Sequence, residues 1–66
     1  MTTKEVEDYI DKKIRVEVLD GDVLFGELDS IAPDYDTETG EDEIELFVGT
    51  HYVCEPISLI KSILEL

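Results

Sequence analysis

The sequence predicts a mainly β fold: five short strands curled into a small barrel, with a short α-helix ahead of them. Three observations predict it. Apolar residues alternate with polar ones along Ile14, Val16 and Val18, and again along Ile44, Leu46 and Val48, the two-residue period of a half-buried strand. Asp20-Gly21 and Gly49-Thr50 follow these runs, with the residue types that tight hairpins require. Gly26 interrupts the second run, and a glycine inside a strand marks a bend or bulge that lets a small sheet curl.

The elements follow in order. Thr2-Thr3-Lys4-Glu5 fits a capping box, in which the N-cap hydroxyl and the Glu carboxylate satisfy each other's free backbone N–H groups. Val6, Tyr9 and Ile10 then fall on one face, which predicts an amphipathic helix over residues 3–11 that is too short to stand alone and so docks on the sheet. The barrel is expected over residues 14–66. Its first hairpin turns at Asp20-Gly21 in a type I′ geometry, and the return strand runs from Val23 through Gly26 to about Ile31. Residues 33–43 read as a loop by composition, with Pro33, Gly40 and the acids Asp34, Asp36, Glu38, Glu41, Asp42 and Glu43. Strands through Ile44–Val48 and His51–Cys54 follow. The tail from Pro56 admits a helix, but a single helical turn at 57–60 and a strand at 61–65 supply the fifth strand. The two-residue period assigns the core to Ile14, Val16, Val18, Val23, Phe25, Leu28, Ile31, Ile44, Leu46, Val48, Val53, Ile60 and Ile63.

The totals bound the class. Sixty-six residues make a single domain, 1–66, with a thin stability margin at this size. Cys54 is the only cysteine, so neither an internal disulfide nor a Cys-rich metal site holds the chain together. A hydrophobic fraction of 42% supports a folded core despite the charge. Met1-Thr2-Thr3-Lys4-Glu5 opens into a charged stretch rather than an apolar one, and no apolar run approaches the ~20 residues of a membrane span. A cytoplasmic protein is expected.

Charge is the most informative property. Between Val16 and Ile60 the chain carries thirteen Asp and Glu and no Lys or Arg, and its net charge is −13. Such a surface repels phosphate backbones and anionic membranes and favours partners that present positive charge. Nucleic acid and membrane are therefore not expected partners, and a protein with a basic surface is.

The first hairpin also carries a resemblance. Val16-x-Val18-x-x-Gly21-x-x-x-x-Gly26-x-Leu28, with Ile31 beyond it, resembles the first motif of the Sm-like family of small barrels, relatives of the Src-homology-3-like barrels. The resemblance covers residues 3–31 well and the rest loosely. It implies an N-terminal helix, five strands with a bent second strand, and ring assembly through the edges of the fourth and fifth. RNA-binding members of that family carry an Asp and, four residues later, an Asn after the second strand, where this chain holds Ala32 and Asp36. They carry an Arg-Gly pair before the last strand, where this chain holds Pro56-Ile57. Asn can donate to a base edge, whereas Asp36 only accepts and repels phosphate. The resemblance thus implies the fold without the RNA pocket.

Other constellations are weaker. Asp34, Asp36, Glu38 and Glu45 fall at positions 1, 3, 5 and 12 of an EF-hand loop, but Gly40 stands one place late and strands flank the loop, so a solvated hairpin tip is expected and no metal. His51 and Cys54, at i and i+3 on a strand, point to opposite faces and read as a surface His and a buried structural Cys. One lone His is thin support for activating Cys54, and a barrel of this size has little interior to hold a pocket, so neither an enzyme nor a cofactor is expected. Leu19, Leu24 and Phe47 break the alternation and are candidates for an outward apolar interface, unless they pack under the helix. The function expected is a small acidic protein-binding module, with Asp34, Asp36, Glu38, Glu41, Asp42 and Glu43 as its binding surface. It is expected to be a homo-oligomer of low order, or to exchange with one. The alternatives are a nucleic-acid mimic that occupies a basic protein's binding site, and a divergent RNA-binding Sm-like protein.

Overall fold

The computed structural model describes residues 1–66 as one antiparallel sheet behind a short helix. Helix α1 spans Thr3–Glu7; strands β1 to β5 span Lys13–Val18, Val23–Ala32, Glu43–Phe47, Tyr52–Pro56 and Ile60–Glu65. No helix is long and apolar enough to cross a membrane.

The capping box forms: the Thr2 hydroxyl accepts from the Glu5 N–H at 3.2 Å, and the Glu5 carboxylate accepts from the Thr2 N–H at 3.0 Å. The helix is shorter than the 3–11 expected. After Glu7 the N–H groups of Tyr9 and Ile10 reach back to the carbonyls of Val6 and Glu7, the tighter three-residue spacing of a 3₁₀ turn. Asp11 then adopts a left-handed φ of 69°, and its N–H donates to the Leu28 carbonyl at 2.7 Å. The chain is thus committed to the sheet before the helix completes a third turn. Val6 is nevertheless fully buried, and Tyr9 and Ile10 pack against the core.

The sheet runs β4-β3-β2-β1-β5. The five strands are present, but the sheet is open and not a closed barrel, because β4 and β5 lie at its two edges and do not pair. The reason is local. A 3₁₀ turn, Ile57–Leu59, carries the chain directly from one edge to the other. It is tied at one end by the Ile57 N–H to the Asp42 carbonyl and at the other by the Leu19 N–H to the Leu59 carbonyl. A turn, not a ladder, bridges the edges.

The first hairpin also differs. Only Gly21 has positive φ, +99°, whereas a type I′ turn needs two such residues. The Gly21 N–H bonds the Val18 carbonyl, the Val18 N–H bonds the Asp22 carbonyl, and the Asp20 carboxylate accepts the Asp22 N–H. These bonds describe a three-residue loop ending in a left-handed glycine. At the second hairpin, Gly49 alone has positive φ, +100°, and the Val48 N–H bonds the His51 carbonyl, which closes a two-residue connection at Gly49-Thr50.

The core is Val6, Ile14, Val16, Val18, Leu28, Ile44, Leu46, Ile57 and Ile60, with Leu24, Ile31, Val48 and Ile63 packed against it. Three expected core residues are not in it: Val23, Phe25 and Val53, the last of which faces Leu46 from the edge strand and stays only half-buried. Val16 pairs with Leu24 and Ile14 with Gly26, so the inward positions of β2 are 24, 26 and 28. Val23 and Phe25 point outward and are exposed. Past Leu28 the pairing with β3 slips by one residue at Asp29, which returns Ile31 to the inner face. At Gly26 the neighbouring strand β3 leaves no room: a side-chain carbon there would collide with the Phe47 carbonyl oxygen.

Candidate functional site

The two ends of β3 carry the two candidate surfaces. At its Glu43 end lies the acidic loop, which contains a 3₁₀ turn at Asp34–Asp36. Threonine hydroxyls shape this loop. Thr37 donates to the Glu41 carbonyl at 2.7 Å, and Thr39 donates to the Glu43 carboxylate. Asp42 ties the loop down: its carboxylate accepts the Thr3 hydroxyl at 2.6 Å and the Asp34 N–H at 2.9 Å. Helix and loop are thereby joined through one side chain.

The six acids do not form one surface. Asp36, Glu38 and Glu43 border a hollow with Glu45 and Cys54. Asp34, Glu41 and Asp42 border another, against Thr2, Thr3 and Ser58. Asp34 and Asp36, the first two positions of the EF-hand pattern, therefore face different hollows, and no three His, Cys, Asp or Glu side chains are placed to hold a metal ion. Between them Tyr35 stands 82% exposed.

Cys54 is exposed, not buried, because Val53 takes the inward position opposite Leu46. Local desolvation and the Glu45 and Glu43 carboxylates hold its thiol above the ordinary range, so little of it is the nucleophilic thiolate at neutral pH. His51 is also exposed, and its ring Nδ1 lies 2.8 Å from the Thr50 hydroxyl. Glu55 takes the position opposite Ile44 on the inner face of β4. Partial burial, and then the carboxylates of Asp20, Glu43 and Asp22, push its pKa up.

At its Phe47 end, β3 enters an apolar groove lined by Phe25, Phe47 and Leu66 and rimmed by Lys13 and Glu27. Phe47 and Tyr52 are cross-strand partners, with ring centroids 5.1 Å apart and planes tilted by 57°, a favourable aromatic geometry. Of the three leucine and phenylalanine candidates, Phe47 faces outward here. Leu19 is 62% exposed at the far hairpin, beside Leu59. Leu24 is not a surface residue, because it faces inward opposite Val16 and packs against the core. The candidates therefore do not form one patch. Phe25, Tyr52 and Leu66, which sequence reasoning did not place on this surface, complete it. The signal that could have found Phe25 is the parity of β2: once Leu28 is inward and Gly26 occupies the inward position before it, Phe25 must point out.

No protein-family model, curated protein or solved structure matches the chain.

Proposed function

We propose that this chain is a small acidic protein-binding module on an Sm-like scaffold, acting in the cytoplasm without RNA-binding or enzymatic activity. The observation that carries the reading is Tyr35, exposed on the 3₁₀ turn between Asp34 and Asp36. An aromatic face flanked by carboxylates recognises a Lys or Arg head group by charge and by cation–π attraction together. Glu38 and Glu41 extend the same negative field from the loop. The strand order, the N-terminal helix and the close approach at Gly26 support the Sm-like part of the proposal. Ala32, Asp36, Pro56 and Ile57 support the loss of RNA binding. Low-order self-association belongs to the same reading, opposed by the charge and favoured by added salt.

Retention of a basic partner at low salt, its release at high salt, and loss of retention in a Tyr35→Ala, Asp36→Asn, Glu38→Gln variant are the expected results. Retention unaffected by that variant would remove the loop from the proposal. Titration with oligo-U and with duplex DNA near physiological salt should show no binding, and micromolar affinity for either would overturn it.

One observation favours a second reading, a nucleic-acid mimic. The long axis is 29 Å, a length over which duplex DNA carries about 17 charges at one per ~1.7 Å. A net −13 on a body of that length is of the same order. A mimic would compete with duplex DNA for a nucleic-acid-binding partner, and a module that binds elsewhere would not.

A further inference from the structure

The outer face of the sheet presents an apolar surface that the acidic end leaves unused. Phe25, Phe47, Tyr52 and Leu66 are exposed there to 57%, 38%, 55% and 65%. With full side chains of roughly 200 Å² each, the four present about 400 Å² of apolar area, within the range of the largest patch on an ordinary monomer, which is often functional.

The charges around it say what covers it. Lys13 and Glu27 are cross-strand neighbours on the rim of the groove. Neither takes part in the chain's ion pairs, which are Lys12–Glu65, Arg15–Glu17 and Lys61–Glu17. Lys12, Lys13, Arg15 and Lys61, four of the five basic residues, all lie on or beside β1 and β5. A second copy meets less repulsion on this face than at the acidic loop of a chain of net charge −13, and it brings its own Lys13 and Glu27.

We infer that this face pairs with the same face of a second copy in a two-fold dimer. Leu66, Lys13, Glu27 and Phe47 follow one another across the strands, so a two-fold that sets Lys13 of each copy on the partner's Glu27 also packs Phe47 on the partner's Leu66, with Phe25 beside them. In a two-fold contact one such pair implies its reciprocal, so both unpaired charges on both copies are satisfied. An apolar centre of this size with a polar rim falls at the low end of specific interfaces, so association in the micromolar range is expected. The dimer leaves both acidic loops free, about 14 Å away at the other end of β3 by strand rise. The inference rests on the self-association part of the proposed function and not on the basic partner, and it is tested on the chain alone.

Sedimentation of the full chain from micromolar to millimolar concentration should show a monomer–dimer equilibrium. Lys13→Glu should weaken it by about tenfold, and Lys13→Glu combined with Glu27→Lys should restore it to within about threefold. Phe25→Ser, at an exposed position, should abolish it while leaving the thermal unfolding transition in place. Amide shifts on dilution should be confined to the outer face. A strict monomer throughout, an assembly indifferent to Phe25→Ser, or new hydrogen-exchange protection along β4 and β5, which would mean edge pairing, would each overturn the inference.

Discussion

At Glu43, β3 leaves a loop whose acids are held apart, in two hollows, by threonine hydroxyls and by Asp42. At Phe47, four residues on, it enters a groove where two strands approach too closely for any side chain at Gly26. One end is organised by hydrogen bonds among exposed and half-buried polar groups, the other by backbone proximity and aromatic contact. The first kind of order is adaptable and costs little to rearrange, because water replaces each bond it loses. The second is rigid, because packed atoms have nowhere to go. A loop suited to meeting basic partners and a surface suited to one fixed contact thus share a single strand.

The largest expected effect breaks the rigid end. Gly26→Ala forces the Phe47 carbonyl to move and should cost about 2–3 kcal/mol in urea denaturation. The same change at Gly40 in the loop meets no atom within 4 Å but has a φ of +74°, so it should cost only about 1 kcal/mol. Equal costs would mean that the two ends are not differently packed.

Asp42→Ala should come next, at about 1 kcal/mol. It leaves the Thr3 hydroxyl and the Asp34 N–H without their shared acceptor. Amide exchange should quicken across 34–42 and at the start of α1, and stay unchanged at 25–28. Faster exchange at both ends would show that the ends are coupled.

The smallest effect is a pH dependence. The Glu55 pKa is raised by burial and by Asp20, Glu43 and Asp22, so the folded state binds more protons than the unfolded one in the acid range. Its contribution to stability therefore rises as pH falls through the folded pKa towards the unfolded value. Glu55→Gln should stabilise the chain at neutral pH by about 0.5 kcal/mol, with an advantage that fades on acidification. Glu5 has the opposite sign. The Thr2 backbone and hydroxyl bonds lower its pKa, so its contribution is present at neutral pH and is lost as pH falls through that lowered value. A Glu55→Gln advantage that grows at low pH would refute the assignment.

Strands β1 and β3 were legible because their apolar residues keep strict parity, and the 3₁₀ turn and last strand were legible from Pro56 onward. Strand β2 was not, for a physical reason. Its inward position between Leu24 and Leu28 is a glycine, so that face leaves no apolar mark, while outward Val23 and Phe25 do. The slip at Asp29 then restores Ile31 to the core and hides the error. Leu24 was misplaced by the same parity, and Cys54 by the expectation that a lone thiol is buried. Barrel closure was illegible because it depends on how far a three-residue turn carries the chain. The acidic loop could be located by composition, but its division into two hollows depends on hydroxyl bonds that no spacing encodes.

Glu55 has one further consequence. An edge strand is a template on which other chains can add, strand upon strand, into fibres, and a charge turned towards the interior is one way natural sheets forbid it. Any strand laid beside β4 would seal the Glu55 carboxylate beneath it, next to Ile44, at the cost of dehydrating an ion. With its pKa raised, this guard weakens on acidification. The acid that relieves strain within one molecule is thus the condition under which many molecules could polymerise along that edge.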